Sequence, residues 1–509
     1  MDMQYNVLEY LEHTVNRLPE KVAYADDKIE ITFQETYNQA RAIGTFLARR
    51  GIYKEPVAVF MNKSPMEIVA FFGVVYGGNF YVPLDEEMPK FRIELILENI
   101  KPKAIICDES SEMLLKEMGY GDNLFLYDSI VGTSIDKQAL EDIRNKAIDT
   151  DPLYVVFTSG STGIPKGVVA CHRSVIDYIE NLTQILDCDE DTVFGNQVPL
   201  YFDACLKEVY STIKCGATTY IIPKSHFMFP LKLVEFLNEY KINTVCWVVS
   251  ALTIISSFKV LDKIKPEYLH TIAFGSEVFP IKQFNLWREA LPDARFINLY
   301  GPTEATGMSC YYEVDREFDE DDVIPIGRPF KNTDIILLDE NDKIPEQGEL
   351  GEICIRGTSL TFGYYNAFDI TNKVFVQNPL NTAYPELIYR TGDLGRYNQY
   401  GELEFVSRKD YQIKHMGHRI ELGEIEANVN KLDEIKSSCC IYDEEGNKIV
   451  LFYVGDINIK DLSKKLRQSL PRYMVPNKIQ QLEVMPLTPN GKLDRVYLKG
   501  LIKSKNKER

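Results

Sequence analysis

The chain has 509 residues, too many for one ordinary core, so two to four packing units are expected. It is 45% hydrophobic and 26% charged, the mix of a globular enzyme, with a formal net charge of -18. That acidic balance argues against general nucleic-acid binding, which needs a basic face, but leaves room for a nucleotide in a local pocket.

The first residues, "MDMQYNVLEYLEH", carry acid where a signal peptide carries a basic segment, and no apolar run follows. The ten cysteines are scattered without C-x-x-C spacing. Together these predict a cytoplasmic chain with reduced core thiols. Next come apolar strand-like runs, each followed by an amphipathic helical pattern. "EPVAVFM" precedes "SPMEIVAFFGVVYGG", "KAIICDE" precedes "SSEMLLKEMG", and "INTVCWVV" precedes "ALTIISSFKVLDKI". Such alternation predicts α/β architecture, with parallel sheets flanked by helices and ligands at the carboxyl ends of strands. The most apolar stretch, "IVAFFGVVYGGNFYVPL", is broken by Gly77, Gly78 and Asn79. It predicts a buried helix and strand and no membrane span. The six histidines form no metal-binding pattern, and His415 and His418 read as polar loop residues.

"FTSGSTGIPKGVV", Phe157 to Val169, sets glycines and hydroxyls after an apolar run and adds one lysine. Backbone N–H groups in such a turn wrap phosphate oxygens, and a lysine just beyond reaches the same charge. The Gly–Lys–Ser/Thr junction of a Walker loop is missing, so this is a different phosphate loop. The character changes near Arg408. "YRTGDLGRYNQYGELEFVSRKD" reads as short strands with turns at Gly395 and Gly401. "GEIEANVNKL", "KIVLFYVGD" and "KDLSKKLRQSL" then suggest a small α+β unit. The boundary falls at Asp410, giving domains 1–409 and 410–509. The basic tail "LIKSKNKER" is expected to be mobile.

Five further segments accompany the loop: "NLYGPTEAT" (298–306), "GELGEICIRG" (348–357), "YRTGDL" (389–394), "SRKDYQIKHMGHRIELGEIE" (407–426) and "PLTPNGKLDR" (486–495). In order and spacing the set resembles the core motifs of the adenylate-forming superfamily: acyl-CoA synthetases, luciferases and nonribosomal-peptide adenylation domains. The resemblance covers nearly the whole chain. It implies a large α/β domain that includes a distorted β-barrel subdomain, followed by a small mobile C-terminal domain. The reaction it implies is attack of a carboxylate on the α-phosphate of ATP, giving an acyl-adenylate and pyrophosphate.

On that resemblance Thr158, Ser159, Gly160, Ser161, Thr162, Gly163 and Lys166 hold the outer phosphates. Glu304 is the Mg²⁺ ligand, a hard oxygen suited to that ion. Tyr300, beside Asn298 and with Gly301 and Thr303, offers a flat face to adenine. Asp393 accepts from the ribose hydroxyls, near Arg408. Lys492 is the mobile catalytic lysine that meets the charge developing at the α-phosphate. Asp410 is the hinge, with Ser407 where a glycine is usual. Rotation about it withdraws Lys492 and brings the Gly417 segment, a thiol tunnel, to the site.

"YFDACLKEVY" bears on the carboxylate. In amino-acid-activating members the aspartate of "FDA", here Asp203, holds the substrate ammonium; a fatty acid offers no cation to pair it. Motif spacing adds Ala204, Lys207, Ala251, Ile272, Phe274, Leu299, Gly307 and Met308 to the substrate pocket. Lys207 either pairs with an acidic substrate side chain or turns outward toward a protein acid such as Glu208. Phe274 and Leu299 fill space and favour a small substrate, and two stretches also resemble D-alanine–carrier protein ligases. No carrier motif follows the last segment, so the acceptor thiol is expected on a separate phosphopantetheinylated carrier protein. The locally basic "IKDLSKKLRQSLPRY", with Lys464 and Lys465, is the expected docking face. The alternative activity is an acid–CoA ligase acting on a non-amino acid.

Overall fold

In the computed structural model, residues 4–85, 87–160, 164–320, 322–409, 412–486 and 493–507 are described. The chain divides into two compact units. The first comprises Met1–Glu86, Ile100–Phe157 and Gly167–Lys409; the second comprises Glu87–Asn99, Thr158–Lys166 and Asp410–Arg509.

The first unit is built on two large sheets. One runs in the order Leu124–Leu126, Ala104–Cys107, Pro56–Phe60, Phe80–Leu84, Pro152–Thr158, Lys166–Cys171. The strands Pro56–Phe60, Phe80–Leu84 and Ala104–Cys107 pair in parallel and every residue in them is buried. Strands covered on both faces read as unbroken apolar runs, which is why these were visible in the sequence. The other sheet has nine strands: Arg328–Pro329, Cys310–Glu313, Arg295–Tyr300, Thr271–Gly275, Thr244–Val248, Val193–Asn196, Thr218–Ile221, Val22–Ala25, Glu30–Thr32. Its centre is parallel and its edges are antiparallel. Helix Pro65–Tyr76 starts with proline at its first position, where a missing N–H costs nothing. Thr32 and Glu35 form a capping box at the start of Phe33–Arg49. A third, antiparallel sheet joins Thr333–Leu338, Gly351–Gly357, Leu387–Tyr397, Phe375–Gln377 and Leu403–Arg408.

The second unit contains helix Lys90–Ile100, whose last residue falls in the first unit, and a hairpin, Gln412–His415 with His418–Glu421. It also has a three-stranded sheet of Ile435–Asp443, Lys448–Gly455 and Lys478–Gln481. Helices Leu422–Asn430 and Ile459–Ser469 belong to one apolar cluster, and Arg495–Lys507 to another. His415 and His418 are strand residues facing each other across the turn, not loop residues. Met416 and Gly417 both have positive φ, the backbone of a tight two-residue hairpin. His418 stacks on Tyr473 at 3.7 Å, and burial lowers its pKa to about 3.

None of the ten cysteines is disulfide-bonded, and eight are buried. Among the described residues no helix is long and apolar enough to cross a membrane.

Candidate active site

The predicted residues are carried by strands, helices and the turns between them: Asn298, Leu299 and Tyr300 end strand Arg295–Tyr300, Asp393 and Arg408 lie in antiparallel strands, and Lys207 and Ala251 lie in helices. Strand Arg295–Tyr300 runs directly into the "GPTE" turn, Thr303–Ala305. Gly301 is required there: a Cβ would lie 2.4 Å from the Gly307 carbonyl oxygen and 2.5 Å from Met308 Cα. This close backbone crossing brings two ends of the motif together.

Tyr300 is 4% exposed, and its hydroxyl donates to Asp393 Oδ2 at 2.5 Å. Burial, and then the Asp393 carboxylate, hold the phenol well above its ordinary range, so it stays a neutral donor. Arg408 pairs with Asp393, its register partner across neighbouring strands, and also donates to the Thr391 carbonyl at 3.2 Å. Thr391 Oγ1 accepts from the Asp393 N–H at 2.9 Å and donates to the Ile353 carbonyl at 2.7 Å. Asp393 is therefore a buried carboxylate held by a cation, a phenol and its own turn.

Glu304 is 1% exposed and accepts from the Tyr364 hydroxyl at 2.6 Å. Its backbone carbonyl is held twice by Thr361, through N–H at 3.0 Å and Oγ1 at 2.9 Å. Among the described residues no group of three or more His, Cys, Asp or Glu is arranged to hold a metal. A single fixed carboxylate fits Mg²⁺ bound jointly with substrate phosphates. The Asn298 amide donates to the Pro325 carbonyl at 2.8 Å and the Ile324 carbonyl at 3.3 Å, so its donors brace a loop.

Asp203 opens the short turn Asp203–Cys205 that leads into helix Leu206–Cys215, whose Lys207 and Glu208 are buried. Ala204 is half-buried; Ala251, Leu299 and Met308 are buried. The register pairs Cys246 with Ala273 and Gly275 with Leu299, so alternation sets Leu299 on the Ala273 face. Ile272 and Phe274 take the other face, where the Phe274 ring meets Phe279 at 5.1 Å and Phe284 at 6.0 Å. The residues counted by spacing thus divide between two faces of the sheet.

In the second unit, Thr158 and Ser159 are buried. Thr158 Oγ1 donates to the Lys166 carbonyl at 3.4 Å, closing the loop, and Ser159 Oγ donates to the Arg419 carbonyl at 2.8 Å. Gly160 N–H donates to Glu424 Oε2 at 3.2 Å, and Arg92 pairs with the other Glu424 oxygen at 2.6 Å. A Cβ on Gly160 would lie 2.1 Å from the Ile164 carbonyl oxygen. Burial raises the Glu424 pKa, and Arg92 opposes it. Ser161, Thr162, Gly163, Asp410 and Lys492 lie outside the described residues. Just beyond Lys492, Arg495 pairs with Glu426 at 2.8 Å and donates to the Cys440 carbonyl at 2.8 Å.

Sequence reasoning missed Tyr364, Thr391, Arg92 and Glu424. Thr391 and Glu424 lay inside quoted motifs, Tyr364 and Arg92 in none. Arg92 reaches it across 332 positions of sequence, which no local pattern reveals.

The AMP-binding enzyme family model matches residues 11–365, and the AMP-binding enzyme C-terminal domain model matches residues 424–492. The chain is similar to tyrocidine synthase 1 of Brevibacillus parabrevis, 30% identical over 97% of this chain and 45% of that protein. It is 31% identical to surfactin synthase subunit 2 of Bacillus subtilis over 97% of this chain and 14% of the other. It spans less than half the length of either. Among solved structures, the Vibrio cholerae adenylation domain AlmE in complex with glycyl-adenosine-5'-phosphate has a TM-score of 0.85, at 21% identity over 99% of each chain. The o-succinylbenzoate CoA synthetase MenE of Bacillus subtilis has 0.82, at 19% identity over 98% of each. Both share the fold. With one family model matching more than half of the chain and a second matching part of its C-terminal region, the chain belongs to the adenylate-forming AMP-binding enzyme family.

Proposed function

We propose that the chain activates an α-amino acid with ATP and passes it to the phosphopantetheine thiol of a carrier protein. In the first step a substrate carboxylate oxygen bonds to the α-phosphorus, and the bond to pyrophosphate breaks. In the second the thiol sulfur, having lost its proton, attacks the acyl carbon and AMP leaves. Two anions meet in the first step, so the site must supply cations and donors in advance.

In this reading Thr158, Ser159, Gly160, Ser161, Thr162, Gly163 and Lys166 bind the departing pyrophosphate. A carboxylate already sits on the Gly160 N–H, which suits a loop made for anions. Asp393, fixed by Arg408 and Tyr300, accepts from ribose. Glu304 would hold Mg²⁺, which neutralises phosphate charge when bound. Lys492 stabilises the charge at the α-phosphate, and domain rotation about Asp410 exchanges it for the Gly417 hairpin. We retain domains 1–409 and 410–509 as the moving parts.

The observation that carries the amino-acid reading is Asp203, in "FDA", at the head of helix Leu206–Cys215. A carboxylate in a substrate pocket needs a cation, and an α-ammonium supplies one. The relatives are tyrocidine and surfactin synthases, and AlmE is an adenylation domain in complex with glycyl-adenosine-5'-phosphate. The likeness to MenE keeps an acid–CoA ligase as the second reading. Amino-acid-dependent ATP–pyrophosphate exchange decides between them. Exchange with an amino acid, lost in Asp203→Ala and reduced by about 10²–10³-fold in Lys492→Ala, supports the proposal. Exchange only with carboxylic acids that lack an amine overturns it.

A further inference from the structure

A cavity of about 320 Å³ lies wholly within the first unit. Helices Leu8–Arg17, Phe33–Arg49, Pro65–Tyr76 and Lys137–Arg144 surround it, with the residues that lead into strands Phe80–Leu84 and Pro152–Thr158. It therefore adjoins the amino ends of those strands, whereas open α/β sheets hold their substrates at the carboxyl ends. None of the residues assigned above to ATP or to the substrate lines it. One wall is fixed by close packing: at Gly78, with φ 71°, a Cβ would lie 2.6 Å from Ile143 and 2.7 Å from the Tyr53 ring.

The charges on the wall do not all close on one another. Arg144 donates to both oxygens of Glu12, at 3.0 and 3.3 Å, and the Tyr76 hydroxyl donates to Glu12 at 3.1 Å. Asp151 pairs with Lys54 at 2.7 Å. Lys137 and Glu141, both exposed, cancel in net charge. Arg41 is left over. It is half-buried, with its guanidinium carbon 4.7 Å from the centre of the Tyr37 ring, and among the described residues no carboxylate pairs with it. The Tyr37 ring in turn meets Tyr76 edge-on at 6.1 Å. A second polar group on the wall, His172, is 4% exposed. Its Nδ1 accepts from the Val7 N–H at 3.3 Å, and burial lowers its pKa to about 3. The ring is therefore neutral and carries its proton on Nε2, where it is a donor.

We propose that this cavity is a second ligand site, separate from the adenylating one, for a small organic anion with a flat apolar body: a carboxylic acid or a phosphate monoester. Stacking on Tyr37 holds the Arg41 guanidinium in one plane, and its fork of donors matches two oxygens of either anion. The tyrosine rings and Ile143 give the body an apolar wall, and His172 adds a neutral donor. The volume is at the small end of ligand pockets and suits one ring with its substituents. Arg41 and Tyr37 stand four positions apart on helix Phe33–Arg49, one turn, so both project from the same face of a rigid element.

The test is calorimetric titration of the full chain, with saturating AMP in the nucleotide site, against benzoate, phenyl phosphate, inorganic phosphate and benzamide. The expected result is a Kd below about 1 mM for benzoate or phenyl phosphate, at least about 10-fold tighter than for the neutral benzamide. The tighter of the two anions tells a carboxylic acid from a phosphate ester. Inorganic phosphate, which lacks the apolar body, should bind at least about 10-fold more weakly than phenyl phosphate. Arg41→Gln should weaken the tighter anion by at least about 10-fold, with the melting temperature and ATP–pyrophosphate exchange unchanged. Lys137→Gln, at the exposed mouth, should change it by less than about 3-fold. Benzamide binding as tightly as the anions overturns the proposal, as does inorganic phosphate binding as tightly as phenyl phosphate. Absence of binding by either aromatic anion, or an affinity unchanged in Arg41→Gln, also overturns it. Each of these outcomes leaves the amino-acid reading untouched, because exchange is measured separately.

Discussion

Two buried polar clusters in the first unit differ in one respect. Around Asp393 every charge has a partner: Arg408 pairs with it, Tyr300 donates to it, and Thr391 ties the turn. In the other, two polar atoms have no hydrogen-bond partner among the described residues, Glu208 Oε1 and the Tyr178 hydroxyl, and Lys207 is 4% exposed. A buried ion pair with satisfied hydrogen bonds holds a shape before any ligand arrives. A buried group without a partner carries a cost that a ligand can remove. The first cluster fits a part common to every substrate, the nucleotide. The second fits the part that varies.

Substitutions break this comparison in order of size. Asp393→Ala strands the Arg408 guanidinium, and stability should fall by ~3–5 kcal/mol in chemical denaturation. Tyr300→Phe removes a hydrogen bond to a carboxylate and should cost ~1.5–3 kcal/mol. Glu208→Gln changes the pH dependence. Glu208 has its folded pKa raised to about 7 from 4.5, so its contribution is present below the unfolded value and lost as pH rises through the folded one. Relative to wild type, Glu208→Gln should therefore gain ~1–3 kcal/mol between about pH 4.5 and 7. A constant difference across that range would show Glu208 already ionised and paired. Lys207→Met should be neutral or stabilising by ~1 kcal/mol, because it replaces a cation by an apolar side chain of similar length at a residue that is 4% exposed. Tyr178→Phe should change stability by less than ~0.5 kcal/mol. Large losses in these last two would place unseen partners on Lys207 and Tyr178 and erase the contrast.

How much was legible follows the same line. The parallel strands were readable because unbroken apolar runs between helical patterns have few other uses. Gly301 and Gly160 were readable because backbone approaches of 2.4 Å and 2.1 Å at their Cβ positions admit no side chain. Facing was not. Spacing set Phe274 beside Leu299, but strand alternation turns it to the Phe279 and Phe284 side. Long-range partners were not readable either. Tyr364 reaches Glu304 across 60 positions and Arg92 reaches Glu424 across 332, with nothing local to mark them. The histidines at 415 and 418 looked like loop residues because a two-residue hairpin leaves no apolar run to announce its strands.

The central claim is that an amine-bearing acid is what this chain adenylates. The direct measurement is mass spectrometry of the acid-quenched products of one turnover with ATP, Mg²⁺ and an equimolar mixture of amino acids and simple carboxylic acids. An aminoacyl-AMP should be the dominant adenylate, absent in Asp203→Ala and formed about 10²–10³-fold more slowly in Lys492→Ala. An acyl-AMP without an amine as the dominant product, undiminished by Asp203→Ala, would contradict it.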